Sequence, residues 1–410
     1  VRYSTILSNR TDYGDGGGVH ANLGGTIEFC EIRGNTAGSP DEEVSGGGVY
    51  LKGAGAALRD CMVEGNSANE FGGGIGLYWV GTVVERCRVY RNHAPYGGGF
   101  GAPYGSQPPH RVANCDIAFN RADEWGGGVV SSSSHIILDG CWIHDNVSGS
   151  NGGALAGDQG SINVVNCTIE RNEAAHSAGG VNYGTCINSI VYNNRLTGPN
   201  PTRGTENYVA LATSFRNSCT FPLPASGAGS ANFADDPQLA GPDGPHLLPA
   251  SPCIDRGLSW TNLLAIDIDG EPRVWPPGGL LDVGCDEFVP GGAFGSLATT
   301  LLTTLTNAVV GGPIELRAEF AGWPGGLEWR FQQPDGSTVV VTNSKSAQHR
   351  WTAPGDYQVT LWATNRTGQT SSTVPVHVAE AYTNYVSLAG AHVPPFTPWA
   401  TAAPHHEAAV

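Results

Sequence analysis

The sequence predicts an all-β chain: a right-handed parallel β-helix followed by an immunoglobulin-like β-sandwich. Three observations carry this. Glycine accounts for 59 of 410 residues while apolar residues hold at 40%, a composition rich in turn formers yet able to build a core. One short motif recurs at a nearly fixed interval through the first half. The later part instead alternates apolar and polar residues between Pro, Gly and Asp turns, the signature of half-buried antiparallel strands.

The motif is apolar-x-x-Cys-x-Ile/Val-x-x-Asn. It places cysteines at Cys30, Cys61, Cys87, Cys115, Cys141 and Cys167, and asparagines at Asn35, Asn66, Asn92, Asn120, Asn146 and Asn172. Two further copies carry serine in the cysteine slot and end at Asn9 and Asn194. The steps between successive asparagines are 26, 31, 26, 28, 26, 26 and 22 residues. After each of the first seven asparagines comes a variable stretch and then a glycine cluster, such as Gly72 to Gly74 or Gly97 to Gly99.

A period in the twenties means a solenoid. No leucine framework accompanies the repeat, and propeller blades need about 40 residues. One coil of two or three short strands per repeat gives a parallel β-helix, and parallel crossovers are right-handed. Stacked about 4.8 Å apart, each repeat position becomes a ladder. Cysteines inside form a small, apolar, uniform ladder. Asparagines at a corner are expected to take the left-handed bend and to bond through their amides to the coils above and below. Glycines serve another corner. Insertions are expected between the asparagine and the glycines, along one edge. These copies resemble the polymorphic-outer-membrane-protein-like and pectate-lyase-like repeats of bacterial extracellular proteins, over residues 1–220.

Residues 221–290 break the period. "DDPQL", "SPCIDRG", "DIDGEPR" and "DVGCDE" resemble the closing region of secreted β-helix proteins of the choice-of-anchor Q type. The resemblance implies a structural role, covering the open end of the helix and blocking edge pairing. Residues 291–380 read as the sandwich. "WTAPGDYQVTLWATNRTG", Trp351 to Gly368, resembles the end of a PKD domain, although "EWRFQQPDG" replaces that family's usual acidic turn. Residues 381–410 resemble the opening of another β-helix. The expectation is therefore a window from a longer, repetitive extracellular protein. In it the tail, with Tyr385, Val386, Leu388, Pro394, Phe396 and Trp399, caps the first coil of a neighbouring copy.

Formal charge is −16, and Lys52 and Lys345 are the only lysines. Without a basic stripe a nucleic-acid partner is not expected. No apolar run reaches the length of a bilayer span, so membrane insertion is not expected either. The motif cysteines come one per coil with no C-x-x-C, which argues against zinc and for buried free thiols; Cys186 is buried filler. Cys253 and Cys285 lie outside the ladder, and a bridge between them is expected. Asp267 and Asp269 in "DIDG" either cap a turn or ligate calcium, with turn capping the reading adopted and no metal or cofactor expected. The histidines, His20, His93, His110, His135, His144 and His176, read as solvated surface. Phe71, Tyr96 and Trp125 each precede a glycine triplet. Stacking aligns them in a column that is either buried satellite packing or a platform for sugar rings.

No lyase calcium cluster and no polygalacturonase aspartate trio with its glycine-histidine motif is present in the sequence. The expectation is thus a non-enzymatic structural or adhesive module, extracellular or at a cell surface, self-associating head to tail. The alternative is a carbohydrate-active enzyme or glycan-binding module. Three or more carboxylates on one outer sheet face would favour the enzyme.

Overall fold

Successive motif copies stack as parallel strands, one coil on the next. The computed structural model describes residues 1–22, 24–38, 44–79, 81–105, 108–157, 162–198, 205–225, 231–240, 244–259, 264–290, 297–303, 306–321, 326–342, 346–365 and 368–380. Two units divide the chain, Val1–Gly292 and Ala293–Val410. The first is a right-handed β-solenoid of about eight turns with its closing region; the second contains the sandwich.

Each coil contributes to four parallel sheets rather than the two or three strands expected. The cysteine sheet holds the strands that follow the motif cysteine, nine in all from Thr5–Leu7 to Cys219–Thr220. The asparagine sheet has eight short strands, from Arg10–Thr11 to Arg195–Leu196. The glycine sheet has seven, from Val19–Asn22 to Val181–Asn182, and a fourth sheet has eight, from Gly25–Glu28 to Thr213–Arg216. Register is strict. Ile32, Val63, Val89, Ile117, Ile143, Ile169 and Val191 are successive partners, and all are fully buried. Each such side chain contributes about 1.5–3 kcal/mol by leaving water.

The asparagines do not take the left-handed bend themselves. That bend falls one residue earlier: Gly65, Arg91 and Phe119 stand at φ of 62°, 53° and 57°. A second left-handed corner precedes the cysteine slot, at Asp60, Arg86 and Asn114. Non-glycine residues there each cost about 1–2 kcal/mol. The bend frees the asparagine to point inward, where its amide joins a continuous ladder. Asn66 donates from its main-chain N–H and its Nδ2 to Asn92 Oδ1, at 2.9 and 3.0 Å. Its Nδ2 also donates to Ile32 O, at 2.9 Å. Asn92 repeats the pattern onto Asn120, and so on to Asn194. Asn194 donates to Asn207 Oδ1, a further rung with no cysteine motif before it.

The glycine triplet follows from this ladder. Gly72 turns the corner at φ 64°. A Cβ on Gly73 would lie 2.3 Å from His93 O, in the next coil. A Cβ on Gly74 would meet Gly99 O at 2.8 Å and Asn92 Nδ2 at 2.9 Å. Two of the three glycines therefore make room for neighbouring backbone and for the buried amides. Length variation is not confined to the edge expected. The link between Ala102 and His110 is also longer than its counterpart between Tyr78 and Val83.

The ten cysteines are free and buried. In the slot, Cys30 N–H donates to Cys61 Sγ at 3.3 Å, and Cys141 N–H to Cys167 Sγ at 3.3 Å. Serine substitutes in kind, since Cys167 N–H donates to Ser189 Oγ at 3.2 Å. Burial raises the Cys186 thiol pKa far above its usual value. The bridge expected between Cys253 and Cys285 is not formed. Cys253 packs instead with Cys219 and Phe233 over the last coil. Cys285 sits against the cysteine sheet, where its N–H donates to Thr168 Oγ1 at 3.2 Å.

The closing region does more than cover the end. Phe233 bridges to Cys219 beyond the last coil. From there the chain returns along the flank. Asn188 and Leu258 exchange two hydrogen bonds, at 2.9 and 2.7 Å. Asn114, several coils back, donates to Ile266 O at 3.1 Å.

In the second unit a three-stranded sheet and a five-stranded sheet enclose Trp329, Phe331, Trp351, Tyr357 and Leu361. Trp351 Nε1 donates to Gln332 O at 2.8 Å, and the Tyr357 hydroxyl to Ala353 O at 2.9 Å. Trp351 and Tyr357 thus have their polar tips satisfied. The tail residues Tyr385, Val386, Leu388, Pro394, Phe396 and Trp399 lie outside the described residues.

Candidate functional site

The aromatic column exists. Phe71, Tyr96 and Trp125 are successive β-bridge partners at the glycine corner. Phe71 and Tyr96 stack with centroids 5.1 Å apart; Tyr96 and Trp125 meet edge-on at 5.7 Å. The column is not buried: Trp125 is 41% exposed and the other two rings are half-buried.

A second aromatic group, missed in the sequence, adjoins it on the outer face of the glycine sheet. Tyr50 touches His20 at 5.0 Å and Tyr78 at 5.6 Å; Tyr78 in turn touches Trp79 and Tyr104 at 5.8 and 5.4 Å. Lys52 Nζ sits 5.2 Å from the Tyr78 ring centre. Trp79 and Tyr104 are 60% and 54% exposed. Gly76 and Gly101, partners in register, are where both groups pack down on the sheet. A Cβ on Gly76 would press Tyr50 Cδ2 at 2.8 Å, and one on Gly101 would press Phe71 Cβ at 2.8 Å. The rings come from strand ends and loops at unrelated motif positions, so no sequence period marks them.

The outer face of the cysteine sheet carries Glu31, Glu64, Asp116 and Glu170. Every one is engaged. Arg91 Nη1 lies 2.7 Å from Glu64, and Arg171 Nη1 2.7 Å from Glu170; Glu31 lies 3.7 Å from Arg33. Asp116 accepts from the Tyr90 hydroxyl and lies 3.0 Å from His144 Nε2. His144 Nδ1 is 2.6 Å from Asp145, and Trp142 stacks on the imidazole at 3.6 Å. Burial opposes the His144 charge, but hydrogen bonds to Asp116 and Asp145 outweigh it and raise its pKa. His144 is therefore buried and doubly bonded, not the solvated side chain expected. His110 is also buried. It accepts from Thr82 N–H at 3.2 Å, and burial lowers its pKa to about 4. His20, His93 and His176 are exposed as expected.

In the closing region Asp267 caps its turn, as read from the sequence. Its Oδ1 accepts the N–H groups of Asp269, Gly270 and Glu271 at 3.2, 3.0 and 2.8 Å. Asp269 is different. Buried beside Asp267, it has its carboxyl pKa pushed up to about 11, first by burial and then by that neighbour.

Residues 1–196 match the family model described as a right handed beta helix region, and residues 303–378 match that of the PKD domain. No curated protein matches the chain. Both domain types are typical of extracellular or surface proteins.

Proposed function

We propose that this chain is a non-catalytic, adhesive scaffold of an extracellular protein, and that the aromatic face of its glycine sheet binds glycans. The observation that carries the reading is the group of exposed aromatic rings along the glycine sheet and its corner. Trp79, Tyr104 and Trp125 present flat apolar faces to solvent, while Gly76 and Gly101 let Tyr50 and the Phe71–Gly72 backbone pack directly against the sheet beneath them. Sugar rings stack on such faces through their C–H surfaces while their hydroxyls stay hydrated. The engaged carboxylates support the non-catalytic part. A general acid or base needs a proton site within reach of substrate, whereas both His144 nitrogens face carboxylates. Affinity electrophoresis against a panel of neutral and acidic polysaccharides tests the proposal. Retardation by at least one glycan, abolished by Trp79→Ala with Trp125→Ala, is expected; indifference to every glycan overturns it.

A second reading, a carbohydrate-active enzyme, is favoured by one observation: Glu31, Glu64, Asp116 and Glu170 share one outer sheet face with His144, the three or more carboxylates expected of an enzyme. Asp116→Asn separates the two readings, since it would abolish polysaccharide cleavage and leave platform binding unchanged. Head-to-tail association belongs to the adhesive reading, supported by the tail sequence. Deleting residues 381–410 should then convert filaments to shorter species in sedimentation, and filaments that persist unchanged would rule it out.

A further inference from the structure

The closing region gathers buried carboxylates. Three segments meet there, carrying His246, the turn Asp267 to Glu271, and Asp286. The possible ligand atoms of His246, Asp269 and Asp286 all lie within 4.8 Å of one another, as do those of Asp267, Asp269 and Glu271. Asp267, Asp269 and Asp286 are 1%, 3% and 4% exposed.

Hydrogen bonds account for most of these oxygens. Asp267 spends Oδ1 on three turn amides and Oδ2 on Glu287 N–H. Asp286 Oδ2 accepts from Leu247 N–H at 2.8 Å. Asp269 Oδ1 is buried with no hydrogen-bond partner. Leaving such an atom unpaired is costly, more so when it is charged. Nor does a guanidinium compensate it. Arg273 is turned toward the Gly284 and Asp282 carbonyls and toward Glu287.

The other oxygen of the same carboxylate, Oδ2, faces a donor set that fits a cation. His246 Nδ1 lies 3.1 Å from Asp286 Oδ1 and 3.5 Å from Asp269 Oδ2. These are the edge lengths expected of ligands around an ion with bonds of about 2.0–2.2 Å. An imidazole nitrogen with two carboxylates suits zinc and related transition ions; calcium prefers oxygen alone. We infer that His246, Asp269 and Asp286 bind one divalent transition-metal ion, with Glu271 at the rim and Asp267 shaping the turn. The ion would pin three segments of the closing region to one another and so hold the flap against the solenoid.

The test is equilibrium dialysis of the full chain against Zn²⁺, Mn²⁺ or Ca²⁺, followed by metal analysis. One equivalent of Zn²⁺ or Mn²⁺ per chain is expected, with a melting temperature that falls in EDTA. Asp269→Asn and His246→Gln should each weaken binding by at least about 10–100-fold. Independently of how either variant folds, Co²⁺ added to the unmutated chain gives a readout, a ligand-field absorption band whose intensity reports the coordination number. No stoichiometric uptake and no response to EDTA would overturn the inference and leave a shared proton as what neutralises Asp269. Uptake of Ca²⁺ alone, undiminished by His246→Gln, would overturn the ligand assignment.

Discussion

The asparagine ladder and the closing-region cluster bury polar groups in opposite ways. In the ladder every amide is both donor and acceptor, so translation by one coil satisfies each with the next. Asn92 Oδ1 takes two bonds from Asn66, and Asn92 Nδ2 gives bonds to Val63 O and Asn120 Oδ1. Carboxylates only accept, so their satisfaction depends on amides of irregular turns or on a cation. Periodicity solves the first problem with one residue type; the second is solved residue by residue, and at Asp269 protein atoms leave it unsolved.

That contrast is broken most severely inside the ladder. Asn92→Leu strands the Asn66 main-chain N–H and one of the two N–H groups of Asn66 Nδ2, and removes one bond to the Val63 carbonyl. At about 1–3 kcal/mol for each stranded group, a loss of about 3 kcal/mol or more is expected in urea denaturation; an unchanged midpoint would show that the ladder carries little. Gly73→Ala places a methyl 2.3 Å from His93 O, backbone that cannot swing away. Overpacking of this kind costs about 1–3 kcal/mol, and the same change at exposed Gly368, which has open space and no left-handed φ, should cost far less.

The buried histidines are expected to matter less, and in a pH-dependent way. The folded-state pKa of His144 is raised, so its contribution is full below the unfolded value near 6.5 and is lost as pH rises through the raised value. Charge-assisted bonds of this type contribute about 1.5–3 kcal/mol. His144→Gln should therefore destabilise more at pH 5.5 than at pH 9, by thermal melts at both. His110 works the other way. Its lowered pKa means the unfolded chain takes up the proton first, so stability falls as pH drops below about 6.5.

The smallest effect is expected at the cysteine slot. Ser189 already accepts the neighbouring N–H there, so Cys115→Ser should cost under about 1.5 kcal/mol, close to a volume-conserving swap. Thiol titration of unfolded, unreduced protein should return ten free thiols; fewer than six would mean the ladder is bridged.

What was legible in the sequence was what repeats. Cysteine, asparagine and glycine positions announced the coils because each recurs in a fixed relation to the others. Asn207 escaped because no cysteine motif precedes it. The left-handed residues escaped because glycine, arginine, phenylalanine and aspartate all occupy that corner, so the constraint lies in the backbone and not in a residue type. Only the Phe71–Tyr96–Trp125 half of the aromatic face was visible, through its fixed place before the triplets. Tyr50, Tyr78, Trp79 and Tyr104 converge through stacking alone. His144 was misread because its partner Asp116 lies one coil away, a relation that appears only once the coils are in register.

The central claim is that the solenoid binds glycans without cleaving them. A single titration tests it most directly: the intact chain is mixed with a polysaccharide that retards it, and bound ligand and newly formed reducing or unsaturated ends are measured in the same sample. Saturable binding with no new ends, lost in Trp79→Ala with Trp125→Ala and kept in Asp116→Asn, is the predicted result. New ends that accumulate with time and vanish in Asp116→Asn would contradict it.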